Sequence, residues 1–141
     1  MSTAGYNGER LNKRLLNQEK IDVLPGQKTI YGVTLGDLVD DVWQWFEDRG
    51  LHDPVMQMVK VQEEVGELAH EISRGRYDTP EVVDALGDIF VTVIGMCHHL
   101  DIEPGYALLT AYHEIKDRKG KVINGSFVKV ENPKEGDEIK S

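Results

Sequence analysis

Four carboxylates of this chain fall in two pairs with helical spacing. Glu64 and Glu67 are three residues apart, and Asp84 and Asp88 are four apart, so each pair shares one face of a helix. Like charges at these spacings repel, and two such faces that met inside a bundle would repel further without a cation between them. Oxygen ligands suit a hard ion such as Mg²⁺ or Mn²⁺. This pattern is typical of a metal-dependent enzyme that acts on phosphates.

The alternative for the first pair is a solvated acidic face, which glutamate-rich helices usually carry. The second pair favours the metal, because Asp84 and Asp88 precede the apolar run from Ile89 to Cys97. A buried carboxylate without a partner is costly. Two of them one turn apart therefore predict a metal ion or a basic partner.

Length and composition predict one globular domain in the cytoplasm. The chain has 141 residues, of which 40% are hydrophobic and 29% charged, which is typical of a soluble protein with one core. No apolar run approaches the roughly 20 residues of a membrane span, and the polar N-terminus has no secretory signal. A single cysteine, Cys97, excludes an internal disulfide and is interpreted as a buried apolar residue.

The formal net charge of −9 disfavours binding to long nucleic acid, for which a basic face is expected. A small phosphate ligand remains compatible with this charge, because bound metal ions would supply positive charge.

Capping residues and apolar periodicity predict an all-α four-helix bundle. The predicted helices cover residues 34–50, 53–73, 79–100 and 103–119, and Asn124-Gly125 between two β-prone runs predicts a short C-terminal β-hairpin. The chain then divides into an N-terminal extension (1–33), a helical catalytic domain (34–120), and a hairpin with a flexible tail (121–141). The third helix is apolar on all sides over residues 89–97, which predicts that it is the most buried. Gly66, Gly87 and Gly95 lower helix propensity and predict close approach by a neighbouring helix or ligand.

Three segments together resemble the MazG-like nucleoside triphosphate pyrophosphohydrolases. They are Lys60-Val61-Gln62-Glu63-Glu64-Val65-Gly66-Glu67-Leu68, Asp84-Ala85-Leu86-Gly87-Asp88-Ile89, and the run from Lys116 to Lys129. This is the all-α branch that also includes dimeric dUTPases and phosphoribosyl-ATP pyrophosphohydrolase. The resemblance covers about residues 34–130 and implies a four-helix bundle of the MazG type.

The resemblance implies Mg²⁺-dependent hydrolysis of a (deoxy)nucleoside triphosphate to the monophosphate and pyrophosphate. It implies that Glu64, Glu67 and Asp88 bind the metal and act in catalysis. The family's second motif is usually Glu-x-x-Asp, and its glutamate falls on Ala85 here. We expect Asp84, which keeps helical phase with Asp88, to replace that ligand. Glu63 is a further catalytic candidate that would orient a water molecule or a ligand.

Basic and aromatic residues supply candidates for the rest of the nucleotide. Lys60 and Lys116 are the first candidates for phosphate binding by their position in the family pattern, and Lys119 is a weaker one that shares a predicted helical face with Lys116. Arg118 and Lys121 are weaker candidates as well. For each of them the alternative is a solvated cation. Trp43, at the edge of the apolar stripe, is a candidate to stack on the base, whereas Trp45 is expected in the core.

Three alternatives remain open. Within enzymes, the alternative is phosphoribosyl-ATP pyrophosphohydrolase. Outside them, it is a catalytically silent, metal-stabilised regulatory bundle, which Ala85 favours. Glu67-Leu68-Ala69-His70 matches the Glu-x-x-His of di-iron bundles, but a second copy is absent. The apolar faces and the family both predict a homodimer or homotetramer.

Overall fold

The computed structural model describes Gly26 and residues 29–130, and this part of the chain is mostly helical. The elements are α1 (Leu35–Asp48), α2 (Pro54–Ser73), α3 (Pro80–Leu100), α4 (Pro104–Ile115), β1 (Gly120–Ile123) and β2 (Ser126–Lys129). The chain divides after Ile102 into two compact units. The all-α prediction with a small hairpin is confirmed. None of the described helices is both long and apolar enough to cross a membrane.

Each helix of the first unit begins at the capping residue that the sequence predicts. Thr34 and Asp37 form a reciprocal capping box on α1, with Thr34 N donating to Asp37 Oδ2 at 2.8 Å. Asp53 accepts from two backbone N–H groups at the start of α2, and Thr79 accepts from Val82 at the start of α3. These side chains replace the intrahelical partners that the first N–H groups lack. Local chemistry therefore sets the helix starts.

In the first unit, α3 packs against both α1 and α2. The buried apolar side chains are Phe46 from α1 and Val82, Ala85 and Ile94 from α3. Gln57 of α2 is also buried, and its Nε2 donates to the carbonyl of Thr92 at 2.9 Å. This hydrogen bond satisfies a polar group that would otherwise be costly to bury.

Among the helical glycines, the predicted close approach is confirmed at Gly95. A Cβ on Gly95 would lie 2.6 Å from Gln57 Nε2 and 2.7 Å from Phe46 Cε1, with Phe46 Cζ nearer still. A Cβ added at Gly66 or Gly87 would have no described neighbour within 4 Å. Gly95 therefore brings α1 and α2 close to α3, whereas the other two glycines have no such role in the described residues.

The prediction that α3 is buried on all sides is only partly right. Its exposed side chains Val83, Leu86, Phe90 and Val93 form one apolar stripe, and Phe90 is 60% exposed. On α2, the apolar side chains of Val55, Met58, Val65 and Ile72 are exposed as well. Periodicity finds apolar faces, but it does not find what covers them.

The two tryptophans of α1 lie in different surroundings. Trp45 is 44% exposed, and the guanidinium of Arg49 lies 3.8 Å above its ring. Trp43 is half-buried, and its ring centroid lies 5.0 Å from that of His98. The prediction of Trp45 in the core was wrong, because the helix turns its Trp43 edge rather than its Trp45 edge toward α3.

The second unit contains α4 and the hairpin. The helix ends at Ile115, four residues before the predicted end near Lys119. Its apolar side chains Leu108 and Ile115 are exposed. The hairpin is confirmed, with Ile123 opposite Ser126 and a turn at Asn124-Gly125. Both turn residues have positive φ, 49° and 78°, as a type I′ turn requires.

Candidate functional site

The acidic segments of α2 and α3 lie on either side of one groove. It has a volume of about 510 Å³. Its lining residues are Glu63, Gly66, Glu67, His70 and Glu71 from α2, and Glu81, Asp84 and Ala85 from α3. Because the two helices pack antiparallel, residues 63–71 and 81–85 line the same groove. Among the predicted ligands, the structure therefore brings Glu67 and Asp84 into one groove.

Glu64 and Asp88 form the second part of this acidic surface. Burial raises the pKa of Glu64, and the charges of Asp88, Glu67 and Glu63 raise it further, opposed by Lys60. Burial also raises the pKa of Asp88, followed by repulsion from Asp84. Both side chains are half-buried. Asp88 of α3 is therefore close enough to Glu64 of α2 for its charge to raise the pKa of Glu64.

The side chains do not form a ready-made cage. Among the described residues, no three His, Cys, Asp or Glu side chains are placed to hold a metal ion together. The donor chemistry nevertheless suits a hard divalent cation, since every predicted ligand is a carboxylate. Glu67 and Asp84 are exposed, so both side chains would have to turn toward a common point in the groove to bind one cation.

Ala85 is buried, with only 4% of its surface exposed. It lies at the groove wall beside Asp84. A glutamate at this position would add a longer, charged side chain at an almost fully buried site, which is costly unless its carboxylate reaches the groove that Ala85 lines. Asp84 lines the same groove from an exposed position, and its role as the replacement ligand stays a prediction.

Glu71 and Glu81 were not among the predicted site residues, although both line the groove. Glu71 has only 13% of its side chain exposed, and Arg76 Nε lies 3.2 Å from its Oε2. Arg76 and Glu71 thus form an ion pair, but Glu71 Oε2 accepts no hydrogen bond from the described residues. The signal in the sequence is spacing, because Glu71 lies four residues after Glu67 and Glu81 three before Asp84. Both therefore line the same groove.

The predicted phosphate ligands are distributed over both units. In the first unit, Lys60 Nζ lies 2.7 Å from Glu63 Oε2, and this contact raises the pKa of the Lys60 amine. Lys60 is thus charged and beside the acidic surface. In the second unit, Lys116 is the C-cap of α4 and lies 3.9 Å from Asp117. Lys119 comes after the helix has ended, so the expectation that these two lysines share a helical face was wrong.

Comparisons with known proteins bear on a part of the chain. Over 72 residues it is 33% identical to an uncharacterised 18.2 kDa protein encoded in the rep–hol intergenic region of Haemophilus phage HP1. This match covers 48% of the chain and 43% of the phage protein, so the chain spans less than half of the length of that relative. No protein-family model matches the chain. No solved structure matches it.

Proposed function

We propose that this protein is a MazG-like nucleoside triphosphate pyrophosphohydrolase that controls or cleans a cellular nucleotide pool. The observation that carries the proposal is the pair of acidic faces on α2 and α3, which share one groove through Glu67 and Asp84 and on which the charge of Asp88 raises the pKa of Glu64. A purely structural bundle gains nothing from such repulsion. In a cation-dependent enzyme, the bound ion offsets the repulsion, so the clustered carboxylates serve as its ligands.

In this proposal, Glu64, Glu67, Asp84 and Asp88 hold Mg²⁺, with Mn²⁺ as a substitute. The ion would neutralise phosphate charge and lower the pKa of a bound water. Glu63 accepts from the Lys60 ammonium, so the pair places a hydrogen-bond acceptor and a cation at the rim of the acidic surface. Lys60 would bind a phosphate oxygen, and Glu63 would orient the attacking water. Trp43 packs toward His98, which leaves its proposed contact with a base without support from this arrangement.

The test is pyrophosphate release from canonical and modified NTPs and dNTPs, and from phosphoribosyl-ATP. Release should require Mg²⁺ and stop with EDTA. Glu67→Gln should reduce the rate by more than the roughly 10- to 100-fold that is typical when a supporting residue of a metal site is lost. The matched control is Asp41→Asn, an exposed carboxylate on α1, which should retain the parental rate.

The outcome also decides between the alternatives. Release from phosphoribosyl-ATP alone would assign the narrower enzyme. No release from any nucleotide, with Mg²⁺ binding retained in calorimetry, would contradict the enzyme and leave the regulatory binding protein. Ala85→Glu, suggested by the family motif as a gain-of-function test, must be accompanied by a folding measurement because Ala85 is buried.

We also propose that the protein assembles as a homodimer or homotetramer. The exposed apolar stripe of α3 carries this proposal, since Val83, Leu86, Phe90 and Val93 recur at the spacing of a helix-packing seam. Exposed apolar patches of this kind mark interaction sites. Sedimentation equilibrium should give at least twice the mass of one chain, and Phe90→Glu should shift it toward the monomer. A monomeric parent at micromolar concentration would contradict the proposal.

A further inference from the structure

Three histidines and one glutamate meet at the end of α1, and none of the four lines the acidic groove. His98 Nε2 lies 2.6 Å from Glu47 Oε2, and His98 Nδ1 lies 3.1 Å from His99 Nδ1. The ring of His52, from the segment between α1 and α2, stacks on His98 with centroids 5.4 Å apart. We call Glu47, His52, His98 and His99 the histidine cluster.

The cluster forms part of the contact between α1 and α3. The His98 side chain is only 2% exposed. Its ring centroid lies 5.0 Å from that of Trp43 and 6.0 Å from that of Phe46, both on α1. Phe46 also meets His99 edge-on at 5.5 Å. A change in the positions of these imidazole rings therefore acts directly on the packing of α1.

The distance between the two Nδ1 atoms limits how many protons the cluster can hold. At 3.1 Å one nitrogen donates and the other accepts, so a single hydrogen lies between them. His98 Nε2 carries a second hydrogen toward the Glu47 carboxylate, and His99 Nε2 can take a third. A fourth proton would set two N–H groups against each other, so complete protonation of both rings requires them to separate.

The charges around His99 add to this limit. Burial lowers the pKa of His99, and nearby His98 and His52 lower it further, while Asp53 raises it. Glu47 is the facing acidic group from α1, and the segment between α1 and α2 supplies His52 and Asp53. The folded state therefore binds fewer protons than the unfolded chain. The contribution of His99 to the free energy of unfolding is fully present above the ordinary histidine pKa of about 6.5, and it is lost as the pH falls through the lower pKa of the folded state.

We propose that the histidine cluster is a proton-sensitive latch, which holds α1 against α3 at neutral pH and releases it on acidification below about pH 6.5. This device is independent of nucleotide hydrolysis. It needs only the shared hydrogen between His98 and His99 and the contacts of these rings with α1.

The test compares urea unfolding of the full chain at pH 7.5 and 5.5. Each unit by which the pKa of His99 is lowered reduces the folding equilibrium constant at acidic pH by up to about tenfold. In His99→Asn the amide N–H can still donate to His98 Nδ1 but takes up no proton, so we expect the loss on acidification to shrink. His113→Asn changes a histidine of α4 outside the cluster and should retain the parental pH dependence.

Two measurements on the parent protein keep the test decisive if a variant folds poorly. Both tryptophans of the chain lie on α1, so their near-ultraviolet circular dichroism should fall over the same pH range. The ring protons of His99 should titrate below 6.5 in NMR. A His99 midpoint at or above 6.5, or an unchanged acid loss in His99→Asn, would overturn the proposal.

Discussion

Replacing Gly95 by alanine is expected to destabilise the first unit by about 2–4 kcal/mol, although alanine is the better helix former. The added Cβ would fall 2.6 Å from Gln57 Nε2 and 2.7 Å from Phe46 Cε1. Gln57 cannot move away without loss, since its amide is buried and donates to Thr92 O. Overpacking and the broken hydrogen bond should together exceed the gain of about 1 kcal/mol in helix propensity.

Gly87→Ala is the matched control for this prediction. Gly87 belongs to the same helix, and nothing described lies within 4 Å of the position of its Cβ. Only the propensity gain remains, so this variant should be stabilised by about 1 kcal/mol. Urea unfolding at pH 7 measures both midpoints. Equal shifts for the two variants would show that α3 does not depend on close approach at Gly95.

Binding of Mg²⁺ is the second prediction with a large expected effect. A cation that binds only the folded state should raise the free energy of unfolding by about 2.7 kcal/mol at 100 times its Kd. In Glu64→Gln and Asp88→Asn this gain should be small. The same variants, measured without metal at pH 7, should be more stable than the parent, because each removes a carboxylate whose pKa is raised by burial and repulsion.

The sign of this pH effect is opposite to that of the histidine cluster. A carboxyl group with a raised pKa lowers stability at neutral pH, and this loss disappears as the pH falls through the folded value toward the unfolded value of 4.5 for Glu64. Glu64→Gln removes the contribution of the Glu64 carboxyl group to the pH dependence of stability, and His99→Asn removes that of the His99 imidazole. Thermal unfolding with and without Mg²⁺ distinguishes the two contributions, because the proposed metal site contains Glu64 and not His99. A parent protein whose unfolding does not respond to Mg²⁺ would contradict the metal site.

The local elements of the fold could be predicted because short-range chemistry determines them. Thr34, Asp53 and Thr79 cap their helices with their own side chains, and Asn124-Gly125 fits its turn because both residues tolerate positive φ. The predicted end of α4 near Lys119 was wrong, because the helix ends at Ile115. Residues 116–119 lack a capping signal, and the strand pairing that begins at Gly120 takes the chain out of the helix.

The candidate site was predicted in part. Spacing alone placed Glu64 with Glu67 and Asp84 with Asp88, and the structure brings the two pairs to neighbouring helices. The entry of Glu71 into the groove and the burial of Ala85 depend on how α2 rotates against α3. Rotation of a helix is set by the packing of both partners, so one helix's sequence does not contain it.

By itself, the sequence determined where the helices of the first unit begin, the position of the hairpin turn, and the two acidic faces, because each depends on residues within one or two turns of each other. Only the tertiary structure decided that Trp43 rather than Trp45 packs toward α3, and that Gly95 rather than Gly87 is a point of close approach. It alone joined Glu47 to His98, which lie 51 residues apart. Such contacts are decided by the packing of whole helices, whose apolar faces allow several arrangements until they meet.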